Sequence, residues 1–182
     1  MDITKLVNMT SRAWSLKILA LLHQGVPGRQ APLLAAAQAS RTSFVASLNH
    51  LIDLNLMERN PGHGHPLRPE FRLTAEGHRF APYASEIVQA AEQSDDRLIV
   101  IQKTWTVPIL AATKEPRRFS EVKSTLPMVN DRALSQSLDL LQKNDWLRRE
   151  VDTVSRPPRP IYQAQNAGLD ISRIIDSMPL NG

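Results

Sequence analysis

Two segments of this 182-residue chain hold side chains suited to reading the edges and charges of another molecule. In Asp131 to Leu141, leucines recur at 134, 138 and 141, and Arg132, Ser135, Gln136 and Asp139 fall on the opposite helical side. Arginine can form paired hydrogen bonds to guanine or grip a phosphate, and glutamine can pair in the same manner with adenine. The comparable set between Ser40 and Asn49 is Arg41, Thr42, Ser43, Ser47 and Asn49. Arg156 and Arg159 lie in a proline-rich stretch, and Arg59, His63, His65 and Arg68 in or beside a Gly/Pro-rich one. From such loops they would meet backbone phosphates, which position a protein without reading sequence. The same residues also fit the solvated face of an amphipathic helix or hairpin, the reading that suits Arg148 and Arg149 best.

Catalytic chemistry has less to stand on. The five histidines (His23, His50, His63, His65, His78) form no HExxH, and there is neither a Gly-x-Ser-x-Gly turn nor a phosphate-cradling glycine loop. Gly62-His63-Gly64-His65 offers two metal ligands without a third or fourth. Ser94-Asp95-Asp96 reads as a helix start rather than a carboxylate pair. There is no cysteine, so disulfides, zinc fingers and thiol sensing are excluded. The expectation is a protein that is not an enzyme and uses no cofactor or metal. Its 42% apolar and 22% charged residues suit a packed core. No apolar run is long enough for a membrane span, and the first residues lack the order of a secretion signal, so the chain reads as cytoplasmic. A net charge of +4 says little about a polyanion partner; placement of the arginines says more.

The elements that must carry these residues follow from an internal repeat. Trp14-x3-Ile18-Leu19-Ala20 recurs as Trp105-x3-Ile109-Leu110-Ala111, 91 positions on (105 − 14). Phe71-x5-Gly77 recurs as Tyr162-x5-Gly168 at the same offset, while Leu48, Leu51 and Arg59 match Leu138, Leu141 and Arg149 at 90. Each repeat reads as helix, short helix, helix, then a β-hairpin. Trp14, Ile18, Leu21 and Leu22 share a face of a helix that Gly25 can end; in the second copy Pro108 makes that helix start late or bend. Short helices follow near 30–38 and 119–125, and longer ones at 41–54 and 131–144 behind the N-caps Ser40 and Asn130. Strands near 56–59, 70–74, 146–151 and 161–164 flank the two loops. Trp14 and Trp105 read as packing residues. The fold class is mainly α with small β-hairpin wings (α+β): tandem duplicated winged helix-turn-helix domains, at 1–93 and 94–182.

The second repeat resembles the HxlR family of bacterial winged-helix regulators. Lys103-Thr104-Trp105-Thr106-Val107-Pro108-Ile109-Leu110 resembles the family's Trp-containing helix, Arg117-Arg118-Phe119-Ser120-Glu121-Val122 its RFxEL segment, Asp131 to Leu138 its recognition helix, and Arg156 to Tyr162 its wing. The first repeat resembles it at Trp14, Leu73-Thr74-x2-Gly77 and the helix leucines. The resemblance implies a DNA-binding transcriptional regulator. Family members are generally homodimers with one winged unit per subunit, many with a sensing cysteine; this chain departs on both counts. Either one chain imitates that dimer, with Tyr83 to Gln93 and the Ile171, Ile174, Ile175, Met178 face at its centre, or two chains pair. That last stripe fits packing within its own repeat equally well. The expected partner is double-stranded DNA, read by both recognition helices and both basic wings, with no membrane and no effector named by the sequence. The alternative is a winged-helix scaffold for other proteins, which exposed apolar residues on the outer faces of 41–54 or 131–144 would favour.

Overall fold

A computed structural model describes residues 2–60, 69–93, 98–153 and 156–179. The helix start expected at Ser94-Asp95-Asp96, and His63, His65 and Arg68, lie outside the described residues.

The periodic stripes become helices with the expected stops. The chain runs through α1 (Ile3–Thr10), α2 (Ser15–His23), α3 (Gln30–Ala37), α4 (Arg41–Asp53), β1 (Met57–Asn60), β2 (Glu70–Leu73) and α5 (Ala75–Glu92). It continues through α6 (Leu98–Ile101), α7 (Thr106–Ala112), β3 (Arg117–Arg118), α8 (Phe119–Thr125), α9 (Asp131–Lys143), β4 (Leu147–Asp152), β5 (Arg159–Ala164) and α10 (Ala167–Ser177). Among the described residues the protein is mainly helical with two small antiparallel sheets. β1 pairs with β2 in the register Met57↔Leu73 to Asn60↔Glu70. β5 lies between β3 and β4, with Leu147↔Ala164 and Asp152↔Arg159 marking the ends of the longer ladder.

Local chemistry explains the boundaries. α9 starts where the Asn130 side chain accepts from the Ala133 N–H at 2.8 Å, with Asp131 in its first turn and Lys143 in its last, each complementing the helix dipole. Ser40 precedes α4 but makes no such cap; its hydroxyl pairs with that of Ser43 at 2.6 Å. Both helices end alike. Asn55 and Asp145 take positive φ (55° and 57°), and the next N–H, of Leu56 or Trp146, returns to Leu51 O or Leu141 O. That closure satisfies a free end carbonyl, and Asn and Asp tolerate the left-handed backbone it requires. Trp105 is the N-cap of α7 as Trp14 is of α2, so the two helices start at equivalent positions and Pro108 falls in the first turn, where no intrahelical partner is lost. α5 runs unbroken from Ala75 to Glu92 with Pro82 inside it, and takes in nearly all of the Tyr83 to Gln93 segment.

The turn into the helix after each hairpin is pinned from two sides. Thr74 Oγ1 donates to Asn55 O at 2.7 Å, and Asn166 Nδ2 donates to Asp145 O at 2.9 Å. Just beyond, Gly77 and Gly168 sit against the backbone. A Cβ on either would stand 1.9 Å from Leu56 O or 2.1 Å from Trp146 O, well inside contact distance.

The buried side chains of both halves form one continuous core. α5 packs along α2; α10 packs on both α7 and α5, and α1 on α7. Ile171, Ile175 and Met178 are buried there and Ile174 is partly so, so the C-terminal stripe serves its own half and the other half at once. Trp14 and Trp105 both pack against this core. No described helix is long and apolar enough to cross a membrane.

Lys5 on α1 donates to Glu76 on α5 at 2.6 Å, and Arg79 reaches the other carboxylate oxygen at 2.9 Å. The Lys5 hydrogen bond, reinforced by its charge and by Arg79, holds the Glu76 carboxyl below its usual range against the opposing effect of burial.

Two predictions follow from these contacts. Gly77→Ala or Gly168→Ala should lower stability by about 1–3 kcal/mol in urea unfolding, because backbone must move to admit the methyl. Because the Glu76 carboxyl is depressed in the fold, its stabilisation is present above the unfolded-state pKa and lost as pH falls through the folded one. Glu76→Gln should therefore destabilise at neutral pH, by at most about 1 kcal/mol for so exposed a pair, and match the parent chain in acid.

Candidate nucleic-acid interface

Burial of one face of α9 decides what the other presents. Leu134, Leu138 and Leu141 are buried, which turns Arg132, Ser135, Gln136 and Asp139 to solvent. Asp139 is paired with Lys143 one turn on at 2.7 Å. Arg132 and Gln136 have no hydrogen-bond or ion-pair partner among the described residues, so their donors and acceptors are open to a ligand. The turn leading into α9 is anchored by buried Leu126 and Val129 and leaves Met128 half exposed between them.

The adjoining hairpin divides its arginines into two groups. Arg118 is held by Asp152 at 2.8 Å, and Arg148 by Gln163 at 2.8 Å and Glu150 at 3.1 Å. Arg149, Arg156 and Arg159 are exposed and have no ion pair among the described residues. Arg117, on β3 of the same sheet, is also exposed and unpaired in that sense; its segment was read in the sequence only for its resemblance to the RFxEL segment.

The first half places its candidates differently. Phe44, Leu48 and Leu51 are buried on α4, and Arg41, Thr42 and Asn49 are exposed. Ser43 and Ser47 depart from the expected outward set. Ser47 is only 1% exposed; its hydroxyl accepts from the Trp14 backbone N–H at 3.3 Å and donates to Ser43 O at 2.9 Å. Ser43 Oγ accepts from the Trp14 indole N–H at 2.9 Å. The reason is geometric: residues four apart share a stripe, and this stripe meets the start of α2, whose donors need acceptors. The outward positions go instead to Ala46, which is exposed, and Val45, which is half-buried beside Asn49, Arg59 and Phe71. The outer face of this helix is thus less polar than its sequence suggests. Arg59 is exposed on β1 without an ion pair among the described residues.

His50 ties the two ends of the first half together, its Nε2 lying 2.7 Å from Asn8 O and 3.0 Å from Ser11 Oγ. Next to it the halves touch, Thr104 Oγ1 donating to Ser11 O at 3.4 Å. Among the described residues no three His, Asp or Glu side chains are grouped so as to hold a metal.

The residues carrying the better-formed face lie in a segment with known counterparts. Residues 100–180, a little under half of the chain, match the family model described as HxlR-like helix-turn-helix. The HTH-type transcriptional regulator YodB of Bacillus subtilis (strain 168) is 26% identical over 80 residues, which cover 43% of this chain and 70% of that protein. Among solved structures, the reduced form of YodB from B. subtilis aligns with a TM-score of 0.38 at 26% identity, over 43% of this chain and 78% of that one. A putative transcriptional regulator of the MarR family from Porphyromonas gingivalis W83 aligns with a TM-score of 0.40 at 22% identity, over 49% and 81%.

Replacing Ser47 by Ala should cost about 1 kcal/mol in chemical denaturation, because it strips the Trp14 N–H of a buried acceptor. A loss no larger than that of an exposed Ser on α9, such as Ser135→Ala, would contradict that role.

Proposed function

We propose that this protein is a sequence-specific, double-stranded-DNA-binding transcriptional regulator made of two winged helix-turn-helix units in tandem, at 1–93 and 94–182. The observation that carries the reading is the outward face of α9. There Arg132 and Gln136 stand unpaired among the described residues, opposite a buried leucine stripe and within the segment that matches the HxlR-like family model. In this reading α4 and α9 enter successive major grooves. Arg156 and Arg159 on one wing and Arg59 on the other hold phosphates or reach into flanking minor grooves, with His63, His65 and Arg68 as further candidates.

The tandem arrangement is supported by pairs of features at the offset of the sequence repeat. α4 and α9 are both 13 residues long, with N-caps Ser40 and Asn130 and left-handed closures Asn55 and Asp145 each 90 positions apart. Gly77 and Gly168 make the same close approach 91 apart. Packing of α10 on α5 favours a single chain that imitates a dimer. Two recognition helices so related would lie about 34 Å apart. Because their faces differ, the operator should be an imperfect palindrome.

The test is selection from a random duplex pool, followed by affinity titrations against salt. A bipartite motif is expected. Arg132→Ala or Gln136→Ala should each remove about 1–3 kcal/mol of discrimination at one base pair of one half-site. Arg156→Ala and Arg159→Ala should weaken all duplexes alike and reduce the salt slope by about 1 each. Failure to retain any duplex would overturn the reading and redirect attention to a protein partner.

A further inference from the structure

The two outward faces, overlaid at the 90-residue offset set by their caps and closures, differ in chemistry at equivalent positions. Thr42 corresponds to Arg132, Val45 to Ser135, Ala46 to Gln136 and Asn49 to Asp139. Where α9 offers an amide that hydrogen-bonds, α4 offers methyl groups. We propose that the first unit reads A·T base pairs, Ala46 and Val45 packing on thymine C5-methyl groups while Asn49 takes an adenine. The inference deepens the DNA-binding reading and rests on it.

Three observations converge on that assignment. Ala46 is exposed, in the position equivalent to the central reading residue of α9, and carries no hydrogen-bonding atom. The thymine methyl is the apolar feature that a base pair displays in the major groove, so an apolar residue facing base edges there selects thymine. Asn49 lies one turn along from Ala46 on the same side, is exposed and has no hydrogen-bond partner among the described residues. Its amide can pair with adenine N6 and N7, the edge opposite that thymine. Finally, the patch is flanked by cations: Arg41 at the start of α4 and Arg59 on β1 are exposed and have no ion pair among the described residues. Exposed apolar residues here would also suit a protein-binding scaffold, but the flanking cations favour a duplex, which supplies phosphates on both sides of its groove.

The consequence is a division of labour. The α9 half-site is read by charged and polar groups; the α4 half-site is read by shape and methyl contact and is rich in A·T. Burying one methyl group stabilises by about 0.8 kcal/mol, which at 1.4 kcal/mol per tenfold is about fourfold in affinity.

Deoxyuridine tests this without altering the protein, since it lacks the methyl but keeps the pairing edge of thymine. The full chain and its selected duplex are used, and the half-site whose preference changes in Arg132→Ala and Gln136→Ala is assigned to α9. Replacing thymines by deoxyuridine in the other half-site should weaken binding about fourfold for each contacted methyl. The same replacement in the α9 half-site should have little effect. Ala46→Gln should remove the part of the uracil penalty owed to Ala46 and move the first half-site preference toward that of the second. Unchanged affinity with deoxyuridine, or a motif with a single half-site, would overturn the inference while leaving DNA binding by α9 intact. No selected duplex at all would overturn the functional reading beneath it.

Discussion

Burial of a three-residue stripe on one helix governs most of what this molecule can do. Phe44, Leu48 and Leu51 on α4, and Leu134, Leu138 and Leu141 on α9, are spaced four and three apart, so each set occupies one side of its cylinder. Once that side is committed to the core, the rotation of the helix is fixed and the opposite side chains have no freedom to turn inward. The left-handed closures at Asn55 and Asp145 then direct the chain into the hairpin, and the glycine contacts hold the following helix against that same corner. The outward faces are therefore positioned by apolar packing and backbone geometry rather than by polar interactions of their own.

Much of this architecture is legible in the sequence because it depends on periodicity and on a few residues with special backbone demands. The spacing of leucines, the asparagine before α9 and the recurrence of Phe71-x5-Gly77 as Tyr162-x5-Gly168 mark helices, caps and the turn after each hairpin. Pro108 does not delay its helix as expected: α7 begins where α2 does, and the proline fits because it falls in the first turn. The site is less legible for a definite reason. Polarity was taken to mean exposure on α4, yet Ser43 and Ser47 face inward because the Trp14 backbone and indole donors require acceptors there. No pattern within α4 carries that information; it comes from a partner 29 residues from Ser43 and 33 from Ser47 in the chain. The same assumption hid Ala46 and Val45, which were not among the residues expected on the outer face. Likewise nothing local distinguishes Arg148, held by Gln163 and Glu150, from exposed Arg149 beside it.

The join between the halves combines two alternatives that the sequence left apart. α10 does not choose between its own half and the other: it lies against α7 and α5 together, and α1 reaches across to α7. The Ser11–Thr104 contact lies beside the His50 contacts that fasten the end of α1 to α4. Movement of one half relative to the other would disturb apolar packing and hydrogen bonds at the same time.

Under the proposed function, the continuous core has a consequence for equilibrium occupancy. Two reading surfaces on separate subunits must first find each other, so occupancy of a site rises with a higher power of concentration and vanishes on dilution below the dimer constant. Surfaces joined through buried Ile171, Ile175 and Met178 have no such step. Their relative placement is set when the chain folds, and the translational freedom of a second partner has not to be lost on binding. In the proposed reading, response to the number of molecules is then linear, because one copy carries both faces. The arrangement also releases the two faces from identity: in a symmetric dimer every substitution appears twice, whereas in one chain each face can drift alone.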